Sequence, residues 1–305
     1  DSGIRSTASV QGSLVMYPIY KYGSEEQRRK YLPKLATGEW MGCFGLTEPD
    51  HGSNPGGMTT HFVDKGDHYL LNGAKMWTTG AKVADRLLVL ARTDKNVEKN
   101  HHGLTMFFVD GKSPGITASL LPKLGMRAMG SCSVTYDDVF VPDCDVLGEP
   151  GKAWYAMLPT LNNERIMVGA QCLGAIDGVL EDALDYMKQR KAFGGIIGRF
   201  QILQHYVADI ATSQKLTELL LYNVAWMQAQ GMPCGNEANM LKMVATEAAV
   251  KAADLGIQIL GGMGYSAETD MQRYWRDHRI LRMTPISNEM VRNSIAENLG
   301  LPRSF

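Results

Sequence analysis

The chain has 305 residues, 45% hydrophobic and 21% charged, with a formal net charge of −1. That balance describes an ordinary globular protein with room for two domains or most of a larger subunit, and it offers no basic surface for nucleic acid. Five scattered cysteines without a CxxC pair argue against a disulfide framework or a zinc site, and no apolar run reaches the ~18–20 residues of a membrane-spanning helix.

From Asp1 the chain opens inside what reads as a structured segment, so further residues are expected before it; no signal peptide is visible. Residues 1 to about 38 read as helical. Ser24 followed by Glu25, Glu26 and Gln27 is a helix-start signature, and the run 28–32 continues that helix until Pro33. Residues 40 to about 148 change character. Runs rich in β-branched and aromatic residues at 68–79, 86–92, 104–109 and 133–141 alternate with Gly, Asn and Asp, which points to an antiparallel sheet or barrel-like domain. Within it, His101-His102 lies in a Lys- and Asn-rich stretch and reads as exposed loop. A metal needs three or four converging ligands, so no metal site is expected there.

Beyond Ala153 helical periods dominate. Segments 161–190, 201–230 and 237–260 can each be drawn as one long helix, and 280–299 supplies a fourth after the Gly261-Gly262 break. The expected class is therefore α+β: a helical segment over 1–38, a β domain over 39–150 and a four-helix bundle over 151–305.

Several local sequences carry more. Gly45-Leu46-Thr47-Glu48-Pro49 with Gly52-Ser53, then Lys75-Met76-Trp77-Thr78-Thr79, then Arg190-Lys191-Ala192-Phe193-Gly194, then Gln258 with Gly261-Gly262-Met263-Gly264, resemble the acyl-CoA dehydrogenase family in order and spacing. The resemblance covers the whole chain, with the opening part of a typical member missing. It implies a truncated N-terminal helical domain, a middle β-barrel-like domain and a C-terminal four-helix bundle. It also implies FAD between the β domain and the bundle, a homotetramer built as a dimer of dimers that shares its flavin sites, and an electron-transfer flavoprotein as acceptor. The compartment would be the cytoplasm in a bacterium or the mitochondrial matrix in a eukaryote.

A flavin ring is flat, apolar on its faces and polar at its edge, so its site needs stacking surface and a few placed donors. Trp77 offers the surface, and Thr47 and Thr79 offer hydroxyls. The resemblance puts Thr79 near flavin N5 and Thr47 near the pyrimidine edge, with Phe44 and Leu46 lining the same strand. Ser53 suits a phosphate or pantetheine contact. Arg190, Phe193 and Gln201 resemble residues that reach a neighbouring subunit's FAD, although Arg190 alone also reads as a solvated helix end. Gln258, Gly261 and Gly262 resemble a second adenine-side clamp, and Ser287 and Glu289 lie where the family meets flavin again.

The family's chemistry removes the α proton of a thioester and passes the β hydride to flavin N5, which needs a carboxylate base and donors to the thioester oxygen. Most members carry the base just before the last helix. Here that stretch is Thr284-Pro285-Ile286-Ser287, and the position of the glutamate falls on Pro285, which also lacks the N–H that would hold the thioester oxygen. A branch resembling isovaleryl-CoA and long-chain acyl-CoA dehydrogenases carries its base on the first bundle helix, and Glu164 occupies that slot. Glu164 also reads as a helix-surface acid. Arg165 would steady the base and thioester, and Asn162 would face the CoA portion. The opening, with Arg5 and Ser6, resembles glutaryl-CoA dehydrogenase, where these positions contact a distal carboxylate; an exposed helix-end Arg5 is the plain alternative. Dicarboxylic, branched and medium-chain acyl groups all stay open, as do oxidase or lyase-like chemistry on the same fold and a flavin-binding scaffold without catalysis.

Overall fold

The computed structural model describes residues 2–94, 97–99 and 101–303. By internal contacts the chain divides into two units, Asp1–Asn163 and Glu164–Phe305.

The first unit opens with α1 (Ser2–Ser9), a π-helical stretch Val10–Met16, α2 (Tyr17–Tyr22) and α3 (Glu25–Thr37). Ser24 caps α3 reciprocally. Its hydroxyl accepts the Gln27 N–H at 3.1 Å, and the Gln27 side-chain oxygen accepts the Ser24 N–H at 2.9 Å. Contrary to expectation, α3 does not stop at Pro33 but runs to Thr37, where Gly38 at φ 75° ends it. Pro33 is exposed, while Tyr31 and Leu35 on the opposite side are buried. Packing of that face outweighs the hydrogen bond that proline removes.

The sheet contains β1 (Gly42–Gly45), β2 (His61–Asp64), β3 (His68–Thr79), β4 (Arg86–Arg92), β5 (Leu104–Asp110), β6 (Ile116–Leu120), β7 (Ser131–Pro142) and β8 (Val146–Leu147). Strand order is β6-β7-β3-β2-β4-β5-β8, with β1 added on β4. The sheet is mixed rather than purely antiparallel. β1 runs parallel to β4, and a single parallel pair, His61 with Arg92, joins β2 to β4. A parallel pair needs a crossover, and the β2–β3 hairpin supplies it.

Every residue from Leu87 to Ala91 is fully buried. The reason is that β4 and β5 are covered on both faces, so no polar alternation survives in them. One face contributes Leu87, Val89, Phe107 and Val109 to a core shared with β1, β2, β3 and β7. The other contributes Leu88, Leu90, Met106 and Phe108 to a core shared with the N-terminal helices and with Ala153 and Met157. Gly73, at φ 133°, lets β3 pass Thr60. A Cβ there would stand 2.7 Å from the Thr60 Cα.

α4 (Ala153–Gln189) begins in the first unit and continues into the second, starting earlier than 161 and running through Pro159. The second unit continues with a two-residue hairpin, β9 (Lys191–Ala192) and β10 (Gly195–Ile196), then α5 (Gln201–Ala229), α6 (Gly235–Leu260), α7 (Gly262–Tyr265), α8 (Met271–His278) and α9 (Asn288–Asn298). Small buried residues of α6, among them Ala238, Ala245, Ala249 and Ala252, let α5, α8 and α9 pack closely on it. The segment 280–299 is not one helix. A 3-10 turn, Arg279–Arg282, is followed by an irregular stretch around Pro285, and α9 starts only at Asn288. Proline disfavours the helical region for the residue before it, which forces the break. Among the described residues no helix is long and apolar enough to cross a membrane.

Candidate active site

In the first unit the loop after β1 lies against the end of β3. The Met76 N–H donates to the Thr47 carbonyl at 2.7 Å. Beside that bond the Lys75 ammonium, 0% exposed, donates to the Leu46 carbonyl and to Glu48 Oε1, both at 2.9 Å. Glu48 in turn accepts the backbone N–H groups of Thr59 at 2.7 Å and Thr60 at 2.9 Å and the Thr59 hydroxyl at 3.0 Å. Burial alone would raise the Glu48 pKa, but Lys75 and these N–H groups outweigh it and hold it at about 2. Burial draws the Lys75 pKa down to about 8, against the pull of Glu48.

Just beyond Lys75 the pairing of β3 with β7 slips between Lys75 and Thr78. The bulge turns Trp77 outward at φ 61°, with its side chain on a residue 52% exposed. Thr79 follows, with its hydroxyl 3.1 Å from that of Ser131. Thr47, Trp77 and Thr79 are thus gathered on one rim of the sheet. Phe44 and Leu46 are half-buried against the core under the N-terminal helices. Ser53 stands on an exposed turn of the same loop, Ser6 is buried on α1, and Arg5 is half-buried there. His101 and His102 are half-buried rather than exposed. Their Nε2 atoms lie 3.4 and 3.1 Å from the Tyr155 hydroxyl. Among the described residues no cluster of His, Cys, Asp and Glu could hold a metal ion.

On α4, Asn162 is half-buried and Glu164 is buried at 7% exposure. Arg165 is half-buried, and burial lowers its pKa from the ordinary value. The stretch 284–287 holds no carboxylate, and Pro285 is exposed. Ser287 caps α9, its hydroxyl accepting the Met290 N–H at 3.2 Å, and Glu289 is exposed in the first turn, where the helix dipole favours an acid. A second buried lysine fixes this stretch. Lys242 of α6, 0% exposed, donates to the Ile286 carbonyl and to Asn288 Oδ1 at 2.6 Å each, and to the Arg282 carbonyl at 3.3 Å. Burial brings its pKa down to about 8, with Arg165 adding to the drop and Cys172, Glu289 and Glu247 opposing it.

Arg190, Phe193 and Gln201 belong to one exposed connector. Arg190 directly follows α4, Phe193 forms the hairpin tip at φ 51° and 88% exposure, and Gln201 starts α5. Gln258, Gly261 and Gly262 are exposed at the end of α6, and space beside both glycines is open.

Three domain models match in chain order: the acyl-CoA dehydrogenase N-terminal domain over residues 1–39, the middle domain over 43–139 and the C-terminal domain over 151–300. The chain belongs to the acyl-CoA dehydrogenase family. It is 37% identical to an acyl-CoA dehydrogenase of Bacillus subtilis over 95% of this chain and 76% of that one. Butyryl-CoA dehydrogenase of Megasphaera elsdenii has the same fold, with a TM-score of 0.94 and 35% identity over 99% of this chain and 79% of that one. Glutaryl-CoA dehydrogenase of Mycobacterium smegmatis matches with a TM-score of 0.94 and 36% identity over 100% of this chain and 77% of that one.

This acyl-CoA dehydrogenase is an oxidoreductase of a family that binds FAD. Its rim of Thr47, Trp77 and Thr79 fits that cofactor. A large indole stands half-exposed on a backbone conformation that only a held bulge sustains, next to hydroxyls able to meet polar ring edges. The Thr78 hydroxyl, buried in the same bulge, has no hydrogen-bond partner among the described residues. Reading the sequence for cofactor contacts did not single out Lys75, Glu48, Lys242 and Asn288, whose side chains bond within their own chain. The signal for Lys75 was strand alternation, which puts it in phase with the buried Leu71; for Lys242 it was the apolar stripe of α6 that it interrupts.

Proposed function

We propose that this acyl-CoA dehydrogenase oxidises an acyl-CoA thioester between its α and β carbons, with the Glu164 carboxylate taking the α proton. The observation that supports it is the burial of Glu164 in a chain whose stretch 284–287 offers no carboxylate. Glutamate is rarely this buried, and an acid kept from bulk water is a stronger base toward a weakly acidic carbon. FAD, when bound, supplies the acceptor for the β hydride. Thr47 and Thr79 orient its ring and Trp77 covers a face and excludes water. Phe44 and Leu46 back this rim, and Ser53 meets a phosphate or pantetheine group.

Arg165 steadies charge near the base, and Asn162 faces the CoA portion. Pro285 has no N–H, so the Ile286 N–H takes its place as donor to the thioester oxygen. Lys242 supports this by holding the Ile286 carbonyl. Arg5 and Ser6 are the candidate readers of the distal acyl end. Arg190, Phe193, Gln201, Gln258, Gly261 and Gly262 face a neighbouring subunit's FAD, while Ser287 and Glu289 border the flavin site.

The assembly is a homotetramer, a dimer of dimers. Leu216, Leu219, Tyr222 and Trp226 form an exposed stripe on α5 that a second copy would cover. The acceptor is an electron-transfer flavoprotein, the compartment cytoplasm or mitochondrial matrix, and the domains span 1–38, 39–150 and 151–305. Purified holoprotein mixed anaerobically with glutaryl-, isovaleryl- and octanoyl-CoA tests the reaction. Bleaching of the flavin band by one of them is expected, and bleaching by none would refute dehydrogenation. Pro285 favours one second reading, an oxidase, because the lost donor changes how the thioester oxygen is held; peroxide formation in air identifies it.

A further inference from the structure

Lys75 and Glu48 form a fully buried ion pair in the sheet, and apolar residues of similar volume would serve stability there as well or better. What the pair does instead is specify position. β1 ends at Gly45, and among the described residues the loop that follows is tied to β3 by one backbone–backbone bond, Met76 to Thr47. A single bond leaves that loop free to slip or lift. Lys75 adds two more, to Leu46 on one side of Thr47 and to Glu48 on the other. Glu48 extends the tie to Thr59 and Thr60 at the entry to β2. Lys75 is also the last residue of β3 in register with β7, paired with Val134, before the bulge that turns out Trp77. Trp77 holds a left-handed backbone conformation that a bulky residue adopts only when its surroundings impose it.

We propose that the Lys75–Glu48 pair is a positioning device for the flavin, presetting Thr47 and Trp77 before the cofactor arrives. The proposal rests on the reading that Thr47, Trp77 and Thr79 face the ring. Neither Lys75 nor Glu48 touches the cofactor; both act through the loop and the bulge. Pre-organisation lowers the ordering cost of binding, so the pair raises FAD affinity without adding a contact.

Lys75→Met and the double variant Lys75→Met/Glu48→Gln separate positioning from stability. Each apoprotein is titrated with FAD by fluorescence quenching, and its thermal midpoint is measured without FAD. The single variant strands a buried carboxylate, so its midpoint falls. The double variant has no stranded charge, and its midpoint recovers. Positioning predicts that FAD affinity stays at least about tenfold weaker in both, with an altered visible band. Affinity that recovers together with the midpoint would overturn the proposal and leave the pair a structural one. Should either variant fail to fold, the wild-type apoprotein gives the answer by hydrogen exchange. Protection of the Met76 amide without FAD supports a preset loop, and exchange at the rate of an open loop refutes it. If the wild-type apoprotein takes up no FAD, the flavin reading itself is wrong, an outcome distinct from variants that bind as well as wild type.

Discussion

Replacing Lys242 with methionine would release the stretch that leads into α9. The ammonium has three acceptors, Ile286 O, Asn288 Oδ1 and Arg282 O, all within one short segment. Methionine fills much of the volume and supplies no donor. Asn288 keeps the Thr246 hydroxyl at 3.3 Å, and its own amide still donates to Glu247 Oε1 at 3.2 Å, so the main loss falls on the two carbonyls. Each acceptor left without a partner costs ~1–3 kcal/mol. Against this, the variant no longer buries a charge. The Lys242 pKa of about 8 against 10.5 puts that relief at about 3 kcal/mol if the charged form is kept at pH 7. Two carbonyls at that cost lose ~2–6 kcal/mol, so after this relief the net expectation runs from near zero to a loss of ~3 kcal/mol. Urea unfolding followed by circular dichroism reads it as a lower midpoint at unchanged slope. Turnover should fall further than stability explains, because the Ile286 N–H shares its segment with the carbonyl that Lys242 holds. A variant more stable than wild type by over ~1 kcal/mol, or one whose turnover falls no further than its stability, would refute the reasoning.

Two further outcomes follow from the same geometry. The Glu48 pKa of about 2 lies below its ordinary 4.5, so its ion pair contributes stability that is complete above pH 4.5 and lost as pH falls through 2. At about 1.4 kcal/mol for each pH unit between those values, Glu48→Gln should flatten the acid limb of the stability curve by about 3 kcal/mol, and an unchanged limb in acid titration would contradict this. Phe193 is 88% exposed at φ 51°, so Phe193→Gly relieves strain and removes a ring that the chain itself barely packs. Subunit stability should hold or rise while FAD retention on gel filtration falls. Retention equal to wild type would mean that the ring meets no flavin.

Much of the fold was legible in the sequence because its signals are local. Ser24 with Gln27 marks the start of α3, and 68–79 and 86–92 stand out as strands from residue type alone. The readings that failed are those where a non-local cause won. Pro33 does not end α3 because Tyr31 and Leu35 pack against the sheet. The sheet is mixed because β1 lands beside β4, a pairing no local pattern announces. The fourth helix begins at Asn288 rather than near Ile280, with Lys242 from another helix tying down the loop before it.

The site divides the same way. Thr47, Trp77 and Thr79 stand out by motif, and the β1 loop and the β3 bulge bring them to one rim. Lys75 and Lys242 were passed over because a lysine inside a motif or on a helix ordinarily reads as a solvated charge. Only the packing of β7 on β3, and of α9 on α6, shows that both are enclosed.

Proton removal depends on the Glu164 carboxylate, and Glu164→Gln removes its charge with little change of shape. Mixed anaerobically with the acyl-CoA that bleaches the wild-type flavin, the variant should keep its FAD and its yellow colour and bleach at least ~10³-fold more slowly. Bleaching at the wild-type rate would place the base elsewhere in the molecule.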